Sequence, residues 1–247
     1  MDMDRRLFCA LSAGALCAPG LARAQNSAQP LTLIELFTSQ GCSSCPPADA
    51  LMLELSKEAG LLPLTFAVEI WDYLGWKDTL AKPAFTRRQK AYAAMVAGKR
   101  VYTPQAIVNG KASCIGSDLS AIRKLRRASN SSAQMKVEHR IENGHHALSI
   151  TLTGLSIPAR LLILPVADRI SVPIGRGENS GHTITYANVV RDILDHGAIE
   201  NGSRRFTLPQ AQVSDSGANA LALIVQGGSL ETPGEVFASA FIGPAAT

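Results

Sequence analysis

Along the first half of the chain, short apolar runs alternate with stretches of helical spacing. Residues 31–37 are mostly apolar with Thr32 and Glu35 interspersed, which predicts a strand. Pro46 and Pro47 open a helix that continues to Ala59, with Leu51, Leu55 and Ala59 four apart, and Gly60 ends it. A second strand is expected over 64–70, followed by an aromatic loop containing Trp71, Tyr73 and Trp76. Pro83 starts another helix that runs to about Ala97 before Gly98. Asn109-Gly110 joins strands 106–108 and 112–115 as a tight hairpin, and a helix capped by Ser117 or Asp118 covers 119–128. The order is strand, helix, strand, helix, strand, strand, helix. It predicts an α/β unit over 31–128: an open mixed sheet flanked by helices.

Beyond a polar stretch at 129–133 the period changes to two. Candidate strands at 137–141, 147–153, 160–166, 183–186, 205–207, 221–226 and 236–241 are separated by Gly, Asn and Pro turns. Residues 134–247 are therefore expected to form a mainly β, sandwich-like second domain, with one helix over 188–195.

Composition narrows the class. The chain of 247 residues is 46% hydrophobic and 18% charged, which suits a packed core rather than disorder. A formal charge of +4 spread along the sequence gives no case for nucleic acid. The basic group Arg123, Lys124, Arg126 and Arg127 reads as the solvated face of a helix.

The first 24 residues read as a signal peptide, with Arg5-Arg6, an apolar run from Leu7 and the small-x-small site Ala22-Arg23-Ala24. The run is too short and too rich in Gly, Ser and Pro for a stable membrane span. Asp4-Arg5-Arg6-Leu7-Phe8 also resembles a twin-arginine signal, so Sec and twin-arginine export both stay open. The expected location is the periplasm or the medium. Cleavage removes Cys9 and Cys17 and leaves Cys42, Cys45 and Cys114 in a compartment where disulfides persist.

Cys42-Ser43-Ser44-Cys45 lies between a strand and a helix start. Helix amides and the positive end of the macrodipole favour a thiolate there, which makes Cys42 the attacking sulfur and Cys45 the resolving one. A static disulfide and a copper ligand pair are the competing readings. A zinc site needs a second Cys or His pair at suitable spacing, and His145, His146, His182 and His196 all fall in the other domain. No metal and no cofactor is called for. Gly175-Arg176-Gly177-Glu178-Asn179-Ser180-Gly181-His182 lacks the ending of a phosphate loop. It reads either as a turn held by Glu178 and Asn179 or as a loop packed near the dithiol, with Arg176 or His182 assisting. Cys114 reads as a packing residue, a second resolving thiol or the site of an intermolecular bridge.

The strand, CxxC and helix, with Thr103-Pro104 ahead of the hairpin, resemble the thioredoxin superfamily. The resemblance implies a cis-proline at Pro104 beside the dithiol and a Thr103 backbone that pairs with an extended substrate. It implies partners that are protein thiols and disulfides or small disulfides. Trp71, Tyr73 and Trp76, after a strand's carboxyl end, read either as a roof over the dithiol in contact with such partners or as a plug between the two domains. More narrowly, residues 35–49, 71–78, 101–105 and 175–179 resemble an uncharacterised family of bacterial secreted thioredoxin-like proteins. The function expected is thiol–disulfide oxidoreduction. The alternative is a non-catalytic binding or assembly module with a structural or copper-binding pair. Gly41 and the Ser43-Ser44 centre depart from ordinary thioredoxins. Glu35 reads either as a buried acid serving Cys45 or as an exposed strand carboxylate.

Overall fold

A computed structural model of the chain describes residues 31–96, 98–128 and 133–244; the expected signal peptide and most of the 129–133 stretch lie outside them. In chain order the elements are β1 (Thr32–Thr38), α1 (Pro46–Leu55), β2 (Leu61–Ala67), a 3-10 turn (Asp72–Leu74), α2 (Pro83–Met95), β3 (Gln105–Val108), β4 (Ala112–Ile115) and α3 (Leu119–Ala128). Then follow β5 (Gln134–Glu142), β6 (His145–Thr153), β7 (Ala159–Pro173), β8 (Thr183–Val190), β9 (Leu194–Ile199), β10 (Gly202–Pro209), α4 (Gln210–Ser214), β11 (Ala220–Gly228) and β12 (Pro233–Ile242).

The protein is mixed α/β and rich in strands. One nine-stranded sheet has the order β12-β11-β7-β8-β2-β1-β3-β4, with β9 beside β7, and a second sheet has the order β10-β6-β5. β1 runs parallel to β2 and antiparallel to β3. Asn109 and Gly110 both take positive φ, 47° and 68°, as the tight β3–β4 turn requires.

The large sheet crosses the polar stretch at 129–133. β8 joins β2 through the Thr65–Val189 pair, the Thr65 hydroxyl donates to the Ala187 carbonyl (2.7 Å), and the Asn188 amide donates to the Pro63 carbonyl (2.9 Å). The helix expected over 188–195 is absent. β8 and β9 occupy that window, and Asn188 at φ 46° breaks a helical path. Sheet neighbours on both sides outweigh the local pattern there.

Alternation along β1 sends its side chains to opposite faces. Leu33 and Phe37 join Phe66, Phe85, Tyr92, Leu164 and Ile224 in the core beneath α2. Ile34 and Leu36 pack with Ala48, Met52 and Leu55 of α1 and Ile122 of α3. Farther along the sheet, Val137, Leu148, Ile150 and Leu152 of the small sheet cover Leu161, Ile163, Leu221, Leu223 and Val225 of the large one. The strand β1 therefore delivers its C-terminal end, with α1 behind it, between two packed layers.

Candidate functional site

The two sulfurs of Cys42 and Cys45 lie at disulfide-bonding distance, with Cα atoms 5.4 Å apart. The turn before them is closed by the Cys42 amide donating to the Ser39 carbonyl (3.1 Å), and the Cys45 amide donates to the Cys42 carbonyl (3.2 Å). Cys42 is 5% exposed and Cys45 0%. Cys42 is thus the sulfur nearer to solvent, and the Ser44 hydroxyl lies 3.4 Å from it. Cys45 caps α1, whose first residues Pro46 and Pro47 have no amide hydrogen. The Ala48 and Asp49 amides both donate to the Cys45 carbonyl (2.8 and 3.1 Å).

The aromatic residues divide their work. The Trp71 indole donates to the Thr103 hydroxyl (2.7 Å), and the Thr103–Pro104 peptide is cis. The Trp76 indole donates to the Gln40 side-chain carbonyl (2.8 Å). Tyr73 lies 6.1 Å from Trp71, ring to ring, and points outward at 75% exposure. Gly41 is needed because a Cβ there would stand 3.0 Å from the Trp71 Cβ and 3.3 Å from its carbonyl oxygen. Gly41→Ala is expected to displace Trp71 and cost about 1–3 kcal/mol. Indole fluorescence together with a denaturation curve checks it; an unshifted spectrum and midpoint would mean the contact is slack.

The loop between β7 and β8 reaches the dithiol turn. The buried Asn179 amide donates to the carbonyls of Gln40 and Cys42, both at 2.9 Å. The Ser43 amide donates to Glu178 Oε2 (3.2 Å). His182 Nδ1 lies 3.3 Å from the Asn179 carbonyl, and Arg176 is exposed. Of the loop residues singled out from sequence, Glu178 and Asn179 are therefore the ones that hydrogen-bond to the dithiol turn.

Glu35 is fully buried, so the exposed-carboxylate reading fails. It faces α2, where Arg88 donates to its Oε1 through Nε (2.9 Å) and Nη2 (2.7 Å). The other face of β1 carries α1 and the dithiol, so an acid paired this way does not serve Cys45.

A different acid does lie below the dithiol. Asp49 is one turn beyond Cys45 on the inward face of α1, 1% exposed, and neither carboxyl oxygen makes a hydrogen bond of normal geometry. Burial pushes its pKa up to about 8, against the pull of the neighbouring Thr38 hydroxyl and with a push from the Asp78 charge. Burial also pushes Asp78 up to about 6, although the amides of Gln40, Leu80 and Ala81 donate to it. The buried Tyr186 hydroxyl, raised by burial and then by the charges of Asp49 and Asp78, has no hydrogen-bond partner among the described residues. The signal for Asp49 in the sequence is a single charged position among the inward-facing residues Cys45, Ala48 and Met52.

Cys114 sits on β4, at the sheet edge, half-buried and unpaired, and burial pushes its thiol up to about 11. Little of it is thiolate, the reactive form, at neutral pH. Among the described residues no group of three or more His, Cys, Asp or Glu side chains is placed to hold a metal ion. Among them, too, no helix is long and apolar enough to cross a membrane.

A family described as "Protein of unknown function (DUF1223)" matches residues 33–226. No curated protein matches the chain. The crystal structure of an Agrobacterium tumefaciens protein is similar over 90% of this chain and 98% of that one, at 24% identity and a TM-score of 0.76. HBP35 of Porphyromonas gingivalis is similar over 90% of this chain and 79% of that one, at 15% identity and a TM-score of 0.60. At these identities both likenesses concern the fold alone.

Proposed function

Because the chain belongs to the family described as a protein of unknown function (DUF1223), its chemistry has to be read from its own residues, and we propose that it is an exported, thioredoxin-like thiol–disulfide oxidoreductase. Cys42 and Cys45 are its exchanging pair. The observation that carries the reading is the setting of that pair. An outer sulfur stands above a fully buried one, and the buried one shares its helix face with Asp49, a carboxyl of displaced pKa. A bridge that only staples the chain has no use for such a group, whereas displaced acids gather where protons are moved.

In the exchange, the Cys42 thiolate attacks one sulfur of a substrate disulfide, R–S–S–R′. The bond between the substrate sulfurs breaks, R′–S⁻ leaves and takes a proton, and Cys42 is left in a mixed disulfide with R. Asp49, in its carboxylate form, then takes the Cys45 proton as Cys45 attacks the Cys42 sulfur, closing the Cys42–Cys45 bond; R–S⁻ leaves and takes a proton in turn, and Asp49 returns to its carboxylate by losing its proton. Two electrons and two protons pass to the substrate, and the reverse sequence oxidises a substrate dithiol. Trp71, hydrogen-bonded to Thr103 and packed against Gly41 next to Cys42, with the exposed Tyr73 ring beside it, would offer an aromatic surface to a polypeptide substrate.

The test is trapping in the exporting cell. Cys45→Ser should accumulate mixed disulfides with partners through Cys42, and Cys42→Ser should accumulate none. If Cys45→Ser traps nothing, and the wild-type pair has a potential below about −300 mV, the pair is a structural bridge and the proposal fails.

A further inference from the structure

We infer that Glu178 holds down the acidity of Cys42 and thereby biases the pair toward giving electrons to substrate disulfides. The inference deepens the redox reading above and rests on it.

A cysteine at a helix start ordinarily draws its acidity from unbonded amides and from the macrodipole. Here most of those amides are gone or occupied. Pro46 and Pro47 have none, and the amides of Cys45, Ala48 and Asp49 are all bonded to carbonyls. The Ser43 amide, next in the chain to Cys42, donates to Glu178 Oε2 instead of to sulfur. Glu178 therefore acts twice: it takes a donor that the thiolate would use, and it sets a negative charge beside the place where another must form. The Ser44 hydroxyl, a neutral group, lies 3.4 Å from the Cys42 sulfur.

The carboxylate is not on a loose loop. Its neighbour Asn179 is 6% exposed and ties the loop to two carbonyls of the dithiol turn. Trp76 packs on Gly175 and Gly177, leaving 3.1 and 3.3 Å for a Cβ at those positions. The far half of the sequence thus supplies the charge that tunes a site built by the near half.

Acidity and direction are linked. A group that stabilises the thiolate stabilises the reduced pair and makes the disulfide a stronger oxidant; withholding that stabilisation favours the disulfide product. The reduced protein then hands two electrons and two protons to a substrate disulfide, and a lower-potential dithiol donor restores its own dithiol. A less acidic Cys42 is also the better nucleophile once deprotonated.

The experiment titrates Cys42 in the full-length protein after reduction with a phosphine, following thiolate absorbance, and equilibrates the same protein with glutathione. Glu178→Gln keeps an acceptor for the Ser43 amide and removes the charge. It should raise the thiolate fraction at neutral pH about threefold and move the glutathione equilibrium toward the reduced protein, both effects shrinking in high salt. Glu178→Ala also frees the amide and should move both further the same way. Titration curves that superimpose on wild type, or shift to higher pH, overturn the inference. A lowered pKa with an unmoved glutathione equilibrium overturns the bias in direction. Because reduction is chemical, the titration reads Glu178 even if trapping finds no partner; the redox reading fails in the trapping experiment, and this inference fails in the titration.

Discussion

Glu35→Ala is expected to destabilise the protein by about 3–5 kcal/mol, the cost of leaving a buried guanidinium without its counter-charge. Arg88 is 3% exposed, and Glu35 is its anionic partner in a network of buried side chains. Its Nη2 also donates to the Tyr92 hydroxyl and to Gln226 Oε1, both at 2.9 Å, and its guanidinium lies 4.9 Å from the Tyr92 ring centroid. Among the described residues Glu35 Oε2 and Arg88 Nη1 have no partners, so the network is incompletely satisfied even in the wild type. That makes the pair a poor source of net stability and a severe liability when half of it is removed. The double variant Glu35→Met with Arg88→Met should therefore recover most of the loss. Chemical denaturation of the three proteins checks this, and a double variant as unstable as Glu35→Ala would show that the network, not the stranded charge, holds the layer together. Glu35→Gln should leave the pH profile of disulfide exchange unchanged, since the side chain faces away from α1.

The same pair shows where sequence reading stops. The strand at β1, the Pro-initiated helix after the cysteines and the Asn109-Gly110 turn are legible because each depends on local rules: alternation, a missing amide hydrogen, positive φ. The face on which Glu35 lies is not local. It is settled by Arg88, 53 residues away, and by Gln226 on β11. The polar stretch at 129–133 reads as a break between units because composition changes there. The large sheet nevertheless crosses it, through β8 on one side of β2 and through the Val236 amide donating to the Asn109 carbonyl (2.9 Å). The loop at 175–182 was legible as polar and glycine-rich, and packing beside the dithiol was one of its two readings. That Asn179 and Glu178, rather than Arg176 or His182, hydrogen-bond to the turn depends on how the loop packs, with Trp76 against Gly175 and Gly177. Asp49 is harder to pick out: its only signal is one charged position among inward-facing residues of an amphipathic helix.

Asp49→Asn is expected to flatten the dependence of stability on pH between about 6 and 8 and to slow the second half of disulfide exchange. The folded pKa of Asp49, about 8, lies above its ordinary value of 3.8, so the native state binds the proton more tightly than the unfolded chain does. Stability from that proton is complete at acid pH. It declines once the unfolded carboxyl ionises, and it stops declining when the native carboxyl ionises near 8. Asp78 behaves the same way, but its contribution is spent by about pH 6. Between pH 6 and 8 Asp49 is thus expected to cost wild type about 2 kcal/mol that the asparagine variant does not lose. His139, His146 and His196 have pKa values lowered chiefly by burial and act with the opposite sign, but they are common to both proteins and cancel in the difference. Denaturation midpoints at pH 6 and 8 supply the comparison. The kinetic arm separates burial from chemistry. If Asp49 takes the Cys45 proton, Asp49→Asn should alkylate normally at Cys42, yet resolve its mixed disulfide with a small model disulfide at least about tenfold more slowly. Parallel stability curves would mean that the carboxyl is charged when folded. A flattened curve with unslowed resolution would leave Asp49 as a buried acid with no part in the exchange.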